Sequence, residues 1–453
     1  MRLSLANIGV LDRSVTRFGY DRTAQGLGIV HLGIGAFHRA HQAWYTDLAM
    51  AAGDRDWAIT GVSLRSAGVA EQMNPQDGLY TVTERSEAGW HSRLIGAVRE
   101  VLVAKDQRAA VIDRIAASAC HIVSLTVTEK GYCRTADGSL DFGLADEGSL
   151  YALIAEALRR RHDAGLPGLT LLCCDNLADN GKQLTRLMTD YLDRHDPNLR
   201  VWFEAECTCP STMVDRIVPA TTNTDRAELA TRIGVEDAAA VLTEPFSQWV
   251  IEDRFAGPRP RWELVGAELV GDVRPYETAK LRMLNGAHSF LAYVGLAQGH
   301  AYVHEAIADP SLRPMVEALL REEALPTIDA GAGQDLSAYA TALVARFANP
   351  ALNHRLIQIA MDGSQKLPQR WLDTLVANQR DGRECAAIRQ GIAAWVRHLR
   401  GANGPVDDPR AAELGAAARG PDPLAALFGP GGLMGATWHP TEADARAIEA
   451  HLA

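Results

Sequence analysis

The chain has 453 residues, a formal net charge of -11, 47% hydrophobic residues and 22% charged residues. This length exceeds what one hydrophobic core usually supports, which predicts two domains in an ordinary globular protein. The negative charge argues against a nucleic-acid partner, because a phosphate backbone would be repelled. The sequence has neither a run of roughly 20 apolar residues that could cross a membrane nor a signal-peptide pattern. We therefore expect a cytoplasmic protein without a membrane or nucleic-acid partner.

The first half of the chain alternates short apolar runs with helical segments. Five of the runs are candidate buried strands: Gly28–Gly33, Trp57–Val62, His121–Val127, Leu169–Cys174 and Val201–Ala205. A helix is predicted over Ala40–Ala52, directly after the first run. Apolar strands separated by helices are typical of a parallel sheet that is covered on both faces. The predicted fold class is therefore α/β, with a doubly wound parallel sheet.

The C-terminal part of the chain has a different pattern, in which strand-like runs are replaced by segments with a helical period. Pro314–Glu323 and Leu336–Phe347 are two of these segments, rich in Ala, Leu, Glu and Arg. We therefore predict an α/β domain over residues 1–265 and an all-α C-terminal domain over residues 266–453. The boundary is expected within residues 257–275.

A glycine-rich turn, Gly33-Ile-Gly35, follows the first predicted strand. Two glycines between a strand and a helix let a pyrophosphate approach the backbone, and the helix N-terminus supplies amide donors. His38 replaces the third glycine of the dinucleotide fingerprint, so a purely structural turn stays an alternative. The acid that usually binds the ribose is also missing, and Arg65 stands in that region. Arg65 either favours a 2′-phosphate, and hence NADP, or is a solvated surface residue.

The segment from Glu277 to His288 suits the oxidation of a secondary alcohol, because Glu277, Lys280 and His288 fall within a helical arc of about 80°. Asn285 lies about 60° further round, and its amide could stabilise charge that develops on oxygen. A lysine accepts the hydroxyl proton without a metal if burial lowers its pKa from about 10.4 toward about 7–8. His288 would bind a neighbouring hydroxyl, and Glu277 would relay the proton to solvent. The alternative is an ordinary amphipathic helix with a surface lysine, a capping asparagine and a buried histidine.

Several stretches together resemble one enzyme family, the polyol-specific long-chain dehydrogenases, also called the mannitol dehydrogenase family. The family carries a lysine, four residues, an asparagine, two residues and a histidine, a pattern matched by Lys280, Asn285 and His288. The resemblance extends over most of the chain through six further stretches: Gly33–Gln42, Pro75–Tyr80, Thr126–Tyr132, Cys174–Leu177, Met213–Pro219 and Met361–Pro368. It implies a Rossmann-type dinucleotide-binding domain, an α-helical catalytic domain, NAD as cofactor with NADP not excluded, and no metal.

The resemblance also implies roles for individual residues. Lys280 would be the general base, and Asn285 with Asn176 would hold the reacting oxygen. Glu277 would gate proton exchange with water. Asp215 would lie near the nicotinamide. Four residues would line the pyrophosphate turn: Gly33, Gly35, Phe37 and Arg39.

The substrate implied by the resemblance is a sugar alcohol or a sugar acid. His288 and Lys366 would contact its hydroxyls or its carboxylate. The segment around Lys366 looks more like the fructuronate-reducing branch of the family, since Gln358 replaces the arginine of mannitol-type members. A carboxylate needs a cation, and Arg355, Lys366 and Arg370 are candidates, or else ordinary helix-surface residues. D-Mannonate and D-fructuronate are therefore expected before D-mannitol and D-fructose.

Two other functions stay open from the sequence. One is a catalytically silent nucleotide- or sugar-binding protein with the same fold, because fold alone does not fix function. The other is a zinc-dependent polyol dehydrogenase, although His31, His38 and His41 lack the spacing of metal ligands on one helix. The sequence carries no heptad interface signature, and the resemblance implies a monomer or a weak homodimer.

Overall fold

The computed structural model describes residues 1–135, 137–145, 148–351, 353–435 and 437–452. It divides into two compact units, Met1–Val273 and Arg274–Ala453. The division falls inside the stretch in which the boundary was expected, but residues 266–273 belong to the first unit rather than the second. The reason is that the strand Glu268–Val270 pairs in parallel with the strand Gln248–Glu252, which attaches this segment to the α/β unit.

The described residues of the first unit contain eleven strands: β1 (Ile29–Leu32), β2 (Ile59–Ser63), β3 (Tyr80–Ser86), β4 (Gly89–Ile95), β5 (Val98–Val103), β6 (Ile122–Leu125), β7 (Thr170–Cys173), β8 (Thr212–Asp215), β9 (Val241–Thr243), β10 (Gln248–Glu252) and β11 (Glu268–Val270). Five of them form a parallel sheet in the order β5-β2-β1-β6-β7. The strand order reverses at β1, so the topological switch point lies beside β1 and β6. The predicted doubly wound α/β class is thereby confirmed. Two smaller sheets have the orders β11-β10-β8 and β4-β3-β9.

The helices of the first unit, again among the described residues, are α1 (Ala36–Ala40), α2 (Gln42–Ala51), α3 (Gly68–Met73), α4 (Ala104–Ala116), α5 (Thr128–Gly131), α6 (Leu150–Asp163), α7 (Asn180–His195), α8 (Pro197–Glu206) and α9 (Asn223–Ile233). Short 3-10 turns cover Leu5–Val10, Asn74–Gln76 and Trp262–Val265. Neighbouring residues of a strand point to opposite faces of the sheet. The residues of β1 show that a hydrophobic core lies on each face. Val30 and Leu32 lie in one core with residues of α4, α6 and α7. Ile29 lies in a second core with residues of α2.

The strand predicted over Val201–Ala205 is wrong, because these residues lie in α8. The Asp196 carboxylate accepts the Leu199 N–H at 3.1 Å, and Pro197 occupies the first turn. Both features are typical of a helix start. Leu199 and Phe203, four residues apart, are buried. The apolar residues therefore follow a helical period rather than the alternation of a strand.

The second unit is built from helices, and its described residues form no strand beyond an isolated bridge. The α-helices are α10 (Arg274–Ala279), α11 (Gly286–Ala297), α12 (Val303–Ala308), α13 (Arg313–Ala318), α14 (Leu336–Phe347), α15 (Leu356–Ile359), α16 (Gly363–Leu367), α17 (Asp373–Arg380), α18 (Ala386–Leu399), α19 (Ala411–Arg419), α20 (Pro423–Phe428) and α21 (Glu442–Glu449). Three segments are π-helical, Lys280–Asn285, Leu319–Ala324 and Pro368–Leu372, and Leu325–Thr327 is a 3-10 turn. The predicted all-α C-terminal domain is thereby confirmed.

One hydrophobic core runs through the helical unit, with α11 and α18 among its central elements. Phe290 of α11 and Trp395 of α18 are essentially inaccessible to solvent. In the part of the chain that the structure describes, no helix combines the length and the apolar character needed to cross a bilayer.

Candidate active site

The glycine turn lies at the carboxyl end of β1, beside the switch point of the sheet. Gly33 has a φ of 98°, and a Cβ there would lie 2.1 Å from the Thr126 carbonyl oxygen. Only glycine fits such a position. At Gly35, a Cβ would meet only the Gly33 carbonyl oxygen, at 3.9 Å. The space beside Gly35 is thus open, and the turn fits the backbone approach of a dinucleotide pyrophosphate.

A buried histidine supports this turn from the sheet. The His31 ring nitrogens lie 2.8 Å from the Ser124 hydroxyl and 2.8 Å from the Thr126 hydroxyl. Thr126 in turn donates to the Gly33 carbonyl at 2.7 Å. Burial lowers the pKa of His31 to about 3, so the ring is neutral. His38 stacks on His31 with ring centroids 3.4 Å apart, and the residue that replaces the third glycine therefore packs inward.

The other residues that were expected to bind the cofactor lie on two elements, α1 and β8. Phe37 is half-buried on α1, and Asp215 is buried at the end of β8. Arg39 is buried, and its guanidinium donates to the carbonyl oxygens of Gly35 and Ala239. Arg39 thus holds the turn against a distant segment through two of its donor nitrogens, and its contact with a phosphate stays a prediction.

A cleft of about 560 Å³ lies where the loops after β2 and β6 meet, at the carboxyl edge of the sheet. Arg65, Lys130 and Arg134 line it together with Glu129. Arg134 donates to the Gln183 side-chain carbonyl at 2.5 Å. Arg65 and Lys130 form no ion pair with the described residues. This edge of the dinucleotide-binding unit is therefore basic, which bears on the open choice between NAD and NADP.

Lys280 to Asn285 form a π-helical segment between α10 and α11. The Gly286 N–H donates to the Leu281 carbonyl five residues back, whereas an α-helix uses the fourth residue back. Residues five apart in an α-helix are rotated by about 140°, and a turn closed by a hydrogen bond between residues five apart is wider, so this rotation is smaller in a π turn. The segment therefore brings Lys280 and Asn285 closer to one face than the α-helical spacing predicts.

A second π-helical segment, Pro368–Leu372, packs against the first. The Trp371 indole N–H donates to the Gly286 carbonyl at 3.0 Å, and the Arg370 guanidinium donates to the Ser289 hydroxyl at 2.9 Å. A Cβ on Gly286 would lie 3.2 Å from the Arg370 carbonyl oxygen, so the glycine permits the close approach. Burial lowers the pKa of Arg370 to about 10, which leaves the guanidinium charged near neutral pH.

His288 is buried on α11, one turn after the π segment. Its ring centroid lies 4.7 Å from that of Phe347 and 5.2 Å from that of His354. Its Nε2 has no hydrogen-bond partner among the described residues. Burial lowers the pKa of His288 well below its ordinary value, and His354 adds to this effect. The ring is therefore neutral, with one nitrogen able to bind a ligand.

Lys366 lies on α16, four residues before Arg370. Its ammonium group donates to the Met361 carbonyl at 2.7 Å and lies 3.6 Å from the Asp362 carboxylate. Burial, followed by the charge of Arg370, lowers the pKa of Lys366. The structure thus brings two of the predicted substrate-binding cations, Lys366 and Arg370, into one neighbourhood.

The third predicted cation, Arg355, is exposed at the start of α15 and makes no side-chain hydrogen bond or ion pair with the described residues. The ring of its neighbour His354 packs against the ring of His288. The structure therefore does not bring Arg355 to the other candidates, because the chain turns its side chain to solvent. His354 was not singled out by sequence reasoning, since no pattern distinguishes it from the other histidines.

Two further predicted residues lie on α10 and on the loop after β7. Glu277 is partly buried on α10, three residues before Lys280. Asn176 is exposed just after β7. The preceding Asp175 carboxylate accepts the Val127 N–H at 2.9 Å, which fixes the loop that carries Asn176. Among the described residues, no group of three or more His, Cys, Asp or Glu side chains is arranged to hold a metal ion.

Comparison with known proteins gives matches over both units. Residues 27–264 match the mannitol dehydrogenase Rossmann domain, and residues 272–423 match the mannitol dehydrogenase C-terminal domain. The chain is 41% identical over 443 residues to D-mannonate oxidoreductase of Escherichia coli (strain K12), covering 93% of this chain and 91% of that relative. It is similar to the structure of Pseudomonas fluorescens mannitol 2-dehydrogenase in a ternary complex with NAD and D-mannitol, with 34% identity, a TM-score of 0.85 and coverage of 100% and 96%. It is also similar to a D-sorbitol dehydrogenase in substrate-free form, with 32% identity, a TM-score of 0.92 and coverage of 100% and 97%.

Proposed function

We propose that this chain, which belongs to the mannitol dehydrogenase family, is a nicotinamide-dependent dehydrogenase that interconverts a secondary alcohol and a ketone on a sugar acid or sugar alcohol. D-Mannonate and D-fructuronate are the favoured pair, with D-mannitol and D-fructose next. This order is supported by the 41% identity to a D-mannonate oxidoreductase, against 37% and 38% to two mannitol 2-dehydrogenases. The positive charge of Arg370 beside α11 also favours an acidic substrate.

The observation that carries the proposal is the π-helical segment from Lys280 to Asn285, followed on α11 by the neutral His288. In this proposal, the Lys280 amine accepts the proton of the reacting hydroxyl. The Asn285 amide donates to the same oxygen and stabilises the negative charge that develops on it. His288 binds a neighbouring hydroxyl through Nε2.

The remaining candidates have supporting roles in the proposal. Glu277 exchanges the proton between Lys280 and water. Asn176, on the loop after β7, donates its amide to the reacting oxygen. Lys366 and Arg370 bind the carboxylate or hydroxyls of the substrate, as cations suit oxygen ligands of this kind.

NAD is the proposed cofactor. The open space at Gly35 and the left-handed backbone at Gly33 suit its pyrophosphate, with Phe37 beside the turn and Asp215 near the nicotinamide. When bound, the nicotinamide ring accepts the hydride that leaves the carbinol carbon. NADP is the alternative, supported by the basic cleft that contains Arg65.

The test is a substrate panel in which the absorbance of the reduced nicotinamide measures turnover. D-Mannonate, D-gluconate, D-mannitol and D-sorbitol are each supplied with NAD and with NADP, and we expect the highest kcat/KM with D-mannonate. Cofactor binding without turnover on the whole panel would support the catalytically silent alternative. Activity that EDTA removes and zinc restores would contradict Lys280 as a metal-independent base.

A further inference from the structure

Two imidazole rings meet beside α11, those of His288 and His354. Their centroids are 5.2 Å apart and their planes are nearly perpendicular, at 80°. The Nε2 of His288 and the Nδ1 of His354 are both buried, and neither has a hydrogen-bond partner among the described residues. A buried polar atom without a partner costs about 1–3 kcal/mol. Two such atoms on adjacent rings therefore point to a ligand that pairs with both.

The backbone holds His354 in this position. The Val303 N–H donates to the His354 carbonyl at 3.1 Å, and the Leu356 N–H donates to the Ala301 carbonyl at 3.0 Å. These bonds attach His354 itself and the residue two positions later to the segment that leads into α12. His354 is thus a positioned residue, which is what binding of a small ligand requires.

Neither ring carries a charge near neutral pH. Burial lowers the pKa of His354 and lowers that of His288 well below its ordinary value. The nearby cations Arg346 and Arg370 lower the pKa of His288 further. A neutral imidazole nitrogen either donates or accepts a hydrogen bond. Sugar hydroxyls do both, so they are the matching ligand groups.

We propose that His354 is a substrate-binding residue, and that its Nδ1 and the Nε2 of His288 bind two neighbouring oxygen atoms of the substrate chain. The inference rests on the proposed function, because it takes His288 to lie at the substrate site. The ligand class is a sugar acid or sugar alcohol with adjacent oxygen substituents. His354 takes no proton in the reaction, so it determines affinity and specificity rather than chemistry.

Variants at His354 separate a ligand contact from a structural role. His354→Asn keeps a polar atom near the place of Nδ1, His354→Gln moves it toward the place of Nε2, and His354→Leu removes it. His398→Leu is the matched control. The Nδ1 of His398 is likewise buried without a partner among the described residues, but its ring packs on Tyr293, 5.5 Å between centroids.

We expect His354→Leu and His354→Gln to raise KM for D-mannonate about tenfold, with kcat changed by less than about threefold. His354→Asn should keep KM close to the wild-type value, and the Kd for NAD should be unchanged in all variants. His398→Leu should leave KM unchanged. An unchanged KM in His354→Leu, or an equal rise in His398→Leu, would overturn the proposal.

A second readout separates this inference from the proposed function. The rise of Tm caused by D-mannonate is measured without turnover in the wild type, His354→Leu and His398→Leu. If the wild type oxidises nothing in the panel, the proposed function fails. A Tm rise that His354→Leu alone abolishes would still support His354 as a ligand contact, whereas a rise that His354→Leu retains, or no rise in the wild type, would overturn it.

Discussion

The guanidinium of Arg370 donates a hydrogen bond to the hydroxyl of Ser289, with a donor–acceptor distance of 2.9 Å. Ser289 is the neighbour of His288 on α11, and Arg370 also lies 3.5 Å from the Asn285 carbonyl oxygen. The contact joins the second π-helical segment to the helix that carries the proposed substrate-binding residues. It fixes a positive charge beside α11, which the proposed function assigns to a carboxylate of the substrate.

Replacing Arg370 should reduce activity toward sugar acids more than toward neutral polyols. A hydrogen bond to a charged group contributes about 1.5–3 kcal/mol. We therefore expect Arg370→Leu to lower kcat/KM for D-mannonate at least about tenfold, and to lower it less for D-mannitol. The control is Arg380→Leu, an exposed site on α17, which should leave the ratio unchanged. Equal losses on both substrates would argue against a carboxylate contact.

Removal of the Lys280 amine should slow the chemical step. A positioned base contributes about 100-fold or more, so Lys280→Ala should lower kcat by at least that factor while NAD still binds. Single-turnover reduction of NAD measures the step directly. Lys105→Ala, at an exposed position of α4, serves as the control. A near-wild-type rate in Lys280→Ala would remove this residue from the mechanism.

The two glycines of the turn should respond differently to alanine. At Gly33, the Cβ would meet a carbonyl oxygen at 2.1 Å and φ is positive, so Gly33→Ala should lower Tm. At Gly35 the space is open, so Gly35→Ala should keep its Tm while the added methyl group weakens NAD binding. Thermal unfolding and a fluorescence titration with NAD measure the two effects. Unchanged NAD affinity in Gly35→Ala would place the pyrophosphate elsewhere.

Four of the five strands of the parallel sheet were predicted from apolar runs, whereas β5 and the smaller sheets were not. Ile29 and Val30 of β1 pack in different cores, so both faces select apolar residues and the strand stands out as an apolar run. The strand β4 has only two buried residues, Leu94 and Ile95, at its end. The other residues of β4 are half-buried or exposed, so the strand carries no long apolar run and composition alone does not reveal it.

The candidate site residues also divide into those that a local pattern indicates and those whose contacts depend on distant parts of the chain. The Lys280, Asn285 and His288 spacing is readable because it lies within one segment. Arg39 is different, since its guanidinium bonds to the Ala239 carbonyl 200 residues further along the chain. Whether an arginine beside a motif meets a ligand or a carbonyl oxygen depends on such distant contacts.

The basic cleft after β2 makes cofactor preference testable. NADP carries a 2′-phosphate that NAD lacks, and Arg65 stands two residues beyond β2. If the phosphate binds there, Arg65→Ala should weaken NADP binding about tenfold and leave NAD within about twofold. Arg55→Ala, at another exposed position of this unit, is the control. Equal effects on both cofactors would exclude a 2′-phosphate contact by Arg65.

Glu323 predicts a pH dependence of stability. Its carboxylate accepts the Ala387 and Ile388 N–H groups at 2.7 and 3.0 Å at the start of α18, and burial raises the pKa of Glu323 from 4.5 to about 7. The folded state therefore binds more protons between these values. The contribution of Glu323 to the free energy of unfolding is fully present below about pH 4.5, and it is lost as the pH rises through about 7.

Denaturant unfolding of the wild type should therefore show a free energy that falls between about pH 5 and about pH 8. Glu323→Gln should remove this part of the slope, since glutamine does not titrate. The control is Glu322→Gln, at the exposed neighbouring position, which should keep the wild-type slope. Identical slopes in all three proteins would show that Glu323 keeps an ordinary pKa.

The π turn between α10 and α11 contains one residue more than an α turn would. Deleting one residue from 281–284 would let the two helices join in regular α register. Asn285 would then stand four residues after Lys280, about 40° round an α-helix from it, and would stay near the same face. The extra residue is thus a local widening of one turn, and its loss would leave Asn285 and the helix after it close to the faces that they have now.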